Sequence, residues 1–119
     1  MKRPSRITYD TVRRTGLTFP NAEDSTSYGT PALKVKGKLF VRWREEEDAD
    51  TIVLKMPFER REELMAADAE TYFITDHYRE YPWVLVRLSK VHPDALHDLL
   101  LTGYRAALPA KRSRKTGLS

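Results

Sequence analysis

The stretch Ala32-Leu33-Lys34-Val35-Lys36-Gly37-Lys38-Leu39-Phe40-Val41-Arg42-Trp43-Arg44 decides the fold. Each half alternates apolar with basic residues, the pattern of a strand with one buried face. Lys36-Gly37-Lys38 between them has the length and the glycine of a hairpin link. Ala32–Val35 and Leu39–Arg44 are therefore predicted as an antiparallel pair.

Downstream, Thr51–Met56 is β-branched and apolar and pairs back across the acidic loop Glu45–Asp50. Pro57 suits the start of a helix running to about Ala67. Tyr72–Thr75 and Trp83–Ser89 read as two more strands, separated by the turn-rich Asp76–Pro82. A last helix starts at Pro93, places Leu96, Leu99, Leu100, Tyr104, Ala107 and Leu108 on one stripe, and ends before Pro109. Upstream, Ile7–Leu17 reads as a helix with Thr8 as N-cap, and polar Asn21–Thr26 reads as a loop. The expectation is an α+β domain over residues 1–109, in the order α-β-β-β-α-β-β-α, with a basic, disordered tail over 110–119. Hairpin-length links imply an antiparallel sheet with helices packed on one side.

Sorting the strands by alternation gives two faces. Leu33, Val35, Leu39, Val41, Trp43, Ile52, Leu54, Met56, Val84, Val86 and Leu88 are assigned to the helices. Lys34, Lys36, Phe40, Arg42, Arg44, Lys55, Trp83 and Arg87 fall on the far side, with no acid among them. Lysine and arginine are ordinary on a wet sheet face, but exposed aromatics are costly unless used. Guanidinium groups beside rings suit phosphates, carboxylates or stacked bases. The segment Asp76-His77-Tyr78-Arg79-Glu80-Tyr81-Pro82-Trp83 concentrates further rings. It reads equally as a recognition edge or as a plug in which Tyr81 and Trp83 close the core.

The 119 residues carry a net charge of +4, distributed unevenly. Residues 1–14 and 105–119 together contribute +9, so residues 15–104 carry −5. Polyanion binding then rests on the arms or on segregation within the body. The chain contains no cysteine, which removes disulfides, thiolate metal sites and cysteine nucleophiles. No secretory signal or spanning segment is read, and a cytoplasmic location is expected.

Catalytic and metal signatures are weak. His92 and His97 are five residues apart, off the i, i+4 spacing of two ligands on one helix face. His77 beside Asp76 lacks a serine in a nucleophile elbow. Glu45-Glu46-Glu47-Asp48-Ala49-Asp50 lacks a calcium-loop pattern, and no glycine-rich phosphate loop is found. No enzyme activity, cofactor or metal is expected.

Ser27-Tyr28-Gly29-Thr30-Pro31-Ala32-Leu33-Lys34-Val35-Lys36-Gly37-Lys38-Leu39-Phe40 resembles the first signature of the MmcQ/YjbR family. Thr75-Asp76-His77-Tyr78 followed by Tyr81-Pro82-Trp83-Val84 resembles the second, and the likeness runs from Ile7 to Leu108. It implies a CyaY/frataxin-like fold, the double-wing arrangement whose members are commonly called DNA-binding proteins, a label that rests on fold comparison. An iron-chaperone role would need an acidic ridge on the first helix, which here carries only Asp10 beside Arg13 and Arg14.

The leading expectation is a module binding DNA or another polyanion. Lys34, Lys36, Arg42, Lys55 and Arg87 would contact phosphates, with Trp83 and Tyr78 stacking or filling a pocket. The alternative is a small phosphorylated or carboxylated ligand on the same face, with Asp76–Trp83 as a lip. A third is a protein partner at that face or at a free sheet edge.

Overall fold

The computed structural model describes residues 7–44 and 51–109. The acidic loop Glu45–Asp50, the arm before Ile7 and the basic tail 110–119 lie outside the described residues. The elements are α1 (Tyr9–Gly16), β1 (Ala22–Ser27), β2 (Thr30–Val35), β3 (Lys38–Arg44), β4 (Thr51–Lys55), α2 (Phe58–Ala67), β5 (Tyr72–Phe73), β6 (Trp83–Arg87) and α3 (Pro93–Ala107). One antiparallel six-stranded sheet has the order β1-β2-β3-β4-β6-β5. The α+β class and the expected order of elements are found, with one strand more than expected.

That strand is β1, where a loop was expected. It is an edge strand of Ala, Glu, Asp, Ser and Thr, so it shows no apolar alternation. The chain turns into it at Asn21, whose φ of 66° suits an asparagine. Tyr28-Gly29 and Lys36-Gly37 then make two tight hairpins of the same kind. Both residues of each turn have positive φ, and the flanking pairs Ser27–Thr30 and Val35–Lys38 are in register. The second link is thus two residues, not three, and the primed turn it forms matches the strand twist.

The register of β2 against β3 shifts between Leu33 and Lys34, with Leu33 opposite Val41 and Lys34 opposite Leu39. Phe40 is the extra residue of this bulge, and it overturns the simple alternation. Phe40 is fully buried on the helix side, its ring 5.7 Å from that of Tyr104. Leu39 instead shares the far side with Lys34 and Arg42. Phe40 therefore leaves the expected basic-aromatic face, and Leu39 replaces it.

The core joins Leu33, Val35, Val41, Ile52, Leu54, Met56, Val84 and Val86 of the sheet to Val12 of α1 and Leu96, Leu99, Leu100 and Tyr104 of α3. Leu64 of α2 and Tyr72 extend it toward the β5 edge. Tyr104 donates its hydroxyl to the Pro20 carbonyl at 2.6 Å, and Phe19 lies 5.0 Å from its ring, which fastens the α1–β1 link to α3. No described helix is long and apolar enough to cross a membrane.

Gly103 sets how closely α3 lies on β4. A Cβ there would stand 2.8 Å from both Leu54 Cδ1 and the Lys55 carbonyl oxygen, and the carbonyl is backbone that cannot swing away. G103A is expected to lower stability by about 1–3 kcal/mol through overpacking. The urea midpoint measures this, and an unchanged midpoint would mean α3 does not approach β4 so closely.

Candidate functional site

The strand register brings Arg42, Val53, Leu85 and Phe73 into one row across the far face of the sheet, and Arg44, Thr51 and Arg87 into the next. Val53 and Leu85 are 2% and 0% exposed, so this face is not an open plane. The chain between β5 and β6 folds across part of it. Asp76–Tyr78 forms a single 3₁₀ turn, and Tyr78 reaches back to the sheet, where its hydroxyl accepts from Arg42 Nη2 at 2.8 Å.

This loop is held from the helix α2 by Arg61, which is 3% exposed. Arg61 Nη1 donates to the carbonyls of Tyr78 at 3.0 Å, Tyr81 at 2.8 Å and Trp83 at 3.2 Å, and Nη2 donates to that of Arg79 at 3.1 Å. Its Nε lies 3.5 Å from Glu62 Oε2, and the guanidinium carbon stands 4.8 Å from the Phe58 ring centre. Sheet and loop enclose a cup of about 300 Å³ lined by Tyr28, Leu39, Arg42, Val53, His77, Tyr78, Tyr81 and Trp83. That is the lower end of ordinary small-ligand pockets, roughly 300–1,000 Å³.

Five of the eight lining residues are rings. His77 meets Tyr78 edge-on at 4.7 Å and lies 6.3 Å from Tyr81. Tyr81 is 56% exposed and Trp83 is half-buried, so they do not plug the core; they form the rim and wall of the cup. Arg42 contributes the charge: its guanidinium carbon lies 5.5 Å from the Tyr28 ring centre, and Nη1 donates to the Trp43 carbonyl at 3.3 Å. A second depression of about 430 Å³ lies beyond Leu39 and Trp83, between Lys38, Lys55 and the end of α3. Lys55 Nζ stands 5.1 Å from the Trp83 ring centre.

The residues expected from sequence are thus only partly brought together. Arg42, Tyr78 and Trp83 line the cup, and Lys55 flanks it. Lys34 lies on the same face one strand away, paired across to Glu23 of β1, which places an acid on a face expected to have none. Lys36 sits at a hairpin tip. Arg87 lies at the other end of β6, with its guanidinium carbon 4.1 Å from the Phe73 ring centre and Nη1 donating to the Glu70 carbonyl at 3.1 Å. Of the other cup residues, His77 and Tyr81 belong to the ring-rich segment read as a possible recognition edge, whereas Tyr28, Leu39 and Val53 were not marked as site residues. Arg61 was invisible because a helix-borne arginine normally reads as solvated.

Among the described residues no group of three or more histidine or acidic side chains could hold a metal ion. Asp10 on α1 is paired with Arg14 at 2.9 Å, and Arg13 with Asp24 at 2.7 Å. The cup presents five rings and one guanidinium, groups whose chemistry is stacking and charge-assisted hydrogen bonding.

Arg61→Met keeps the length of the side chain but removes the donor shared by the Tyr78, Arg79, Tyr81 and Trp83 carbonyls. Stability is expected to fall by about 2–3 kcal/mol, with the near-ultraviolet circular dichroism of the cup's rings altered. Arg61→Lys should recover part of both. An unaltered aromatic spectrum in Arg61→Met would mean the loop is held by something else.

No curated protein matches the chain. The structure is similar to the crystal structure of Deinococcus radiodurans protein DR2400, a protein with the domain of unknown function DUF419. The two share 25% sequence identity and a TM-score of 0.72 over 87% of this chain and 80% of that one. The YjbR family model matches residues 17–106, which span both signature blocks, the whole sheet and the Arg61 loop, and the chain belongs to the YjbR family.

Proposed function

We propose that this YjbR domain is a non-enzymatic binding module for a compact anionic ligand, bound in the cup between the sheet and the 76–82 loop. The observation that carries the reading is Arg42. Its guanidinium lines a concave, ring-walled cavity and is oriented by the Tyr78 hydroxyl at 2.8 Å. A phosphate or carboxylate would take the remaining guanidinium donors in charge-assisted hydrogen bonds.

The same geometry gives less support to a duplex of DNA. A phosphate-tracking surface needs cations in a continuous stripe. Here Arg87 is drawn to Phe73 and the Glu70 carbonyl, Lys36 sits at a hairpin tip, and Lys34 stands opposite Glu23 in the strand register, so an acid interrupts the cations. The one cation of the far face that enters the cup works in a hollow of about 300 Å³, too narrow to admit a double helix.

A thermal-shift series with small phosphates and carboxylates, run beside duplex DNA at 0.1 M salt, tests the reading. At least one small anion is expected to raise the melting temperature, and Arg42→Ala should weaken its binding about tenfold or more. Tyr78→Phe, which releases Arg42 Nη2, should weaken it less. Tight duplex binding that Arg42→Ala leaves unchanged, with no response to any small anion, would sink the proposal.

A further inference from the structure

Tyr28 breaks two local rules at once. Its φ of 54° is left-handed, a region that bulky side chains rarely occupy and that glycine or asparagine would occupy at less cost. Its side chain is 90% exposed, so the ring adds nothing to the core. Burial of an aromatic ring is ordinarily its chief contribution to a fold, and here that contribution is forgone. Lys36 holds the corresponding place in the other hairpin, at φ 51°. A lysine there is solvated at no cost, whereas a tyrosine is not. The Tyr28 ring lies at the mouth of the cup, 5.5 Å from the Arg42 guanidinium and among four other rings.

We infer that Tyr28 is a stacking platform for a planar ring, and that the ligand of the cup is a nucleotide. The inference rests on the anion-binding reading of Arg42 and adds the second half of the ligand. Arg42 takes the phosphate, and the Tyr28 face takes the base, whose π-surface stacks on it. What sets Tyr28 apart from Lys36 is its ring: an exposed aromatic at a strained turn, with a cation beside it, is suited to stacking. The base can belong to a free nucleotide or to an unpaired position in a single strand, and both offer the same ring and phosphate.

Calorimetric titration of the full chain with adenosine monophosphate, ribose 5-phosphate and a short single-stranded oligonucleotide tests this. Adenosine monophosphate is expected to bind at least about fivefold more tightly than ribose 5-phosphate, the difference being the stacked base. Tyr28→Asn should abolish that difference by bringing adenosine monophosphate to the affinity of ribose 5-phosphate, and hold or raise the melting temperature. Lys36→Asn is the control: the same effect on melting, none on affinity. Equal or tighter binding of the oligonucleotide assigns the base to a strand, and weaker binding assigns it to a free nucleotide; both agree with the inference. Equal affinity of the wild type for the two phosphates, or a Tyr28→Asn variant that still prefers the nucleotide, overturns it. If ribose 5-phosphate fails to bind, or binds unchanged to Arg42→Ala, the anion reading falls and takes this one with it.

Discussion

The cup exists because one buried cation holds its loop. Arg61 leaves α2 on the inner side of the 76–82 segment and meets four backbone carbonyls, each presenting the negative end of a dipole. Removing a guanidinium from water costs several kcal/mol unless its donors are matched; carbonyls at 2.8–3.2 Å match its two Nη groups, while the buried Nε makes no hydrogen bond and has only the Glu62 carboxylate at 3.5 Å. Without this cation those carbonyls would crowd around a gap with their dipoles opposed, the Tyr78 and Tyr81 carbonyls keeping only the N–H donors of Tyr81 and Trp83. With it, the loop becomes a wall. The position of the Tyr78 ring, and so the orientation of Arg42 across the cup, depends on Arg61 although Arg61 does not line the cavity.

This dependence reaches back to the order of the elements. Pro57 starts α2 directly after β4, and Arg61 N–H donates to the Pro57 carbonyl in the first turn. The guanidinium is thus placed within one helical turn of the sheet end where β6 begins with Trp83. The same sheet end receives the Met56 N–H, which donates to the Pro82 carbonyl at 2.8 Å. The loop is therefore fixed at its Pro82 end by a backbone bond and along its length by Arg61. A wall so constrained keeps the rings of His77, Tyr78 and Tyr81 in place before any ligand arrives, which lowers the ordering cost of binding.

How much of this was legible depended on whether a residue's role is written in its neighbours. The hairpin at Lys36-Gly37, the helix start at Pro57 and the α3 stripe were readable because period and punctuation are local signals. β1 was not, because an edge strand needs only backbone pairing and its Ser/Thr/Asp composition resembles a loop. Phe40 was misplaced for a similar reason: alternation assumes an unbroken ladder, and a bulge reverses the faces without any mark in the sequence. Of the site, Arg42, Tyr78 and Trp83 were found because strand faces and the aromatic cluster point to them. Arg61 and Tyr28 act through chain reversals and long-range contact, which spacing does not encode.

The departures from local rules also carry the functional argument. A bulge sends Phe40 to the core and turns Leu39 outward to join Trp83 between the two depressions. A buried arginine holds the loop. A strained, exposed tyrosine stands at the mouth. A fold seeking stability alone would use an unbroken ladder and asparagine at position 28. The bulge, the buried arginine and the exposed tyrosine all bear on the same hollow of about 300 Å³, while Lys36, with the same backbone conformation as Tyr28, lies elsewhere and needs no ligand to explain it. Positive φ alone does not mark the cavity, since Asn21 and Lys36 share it; the cavity is marked because a bulge, a buried guanidinium and an exposed ring bear on the same place.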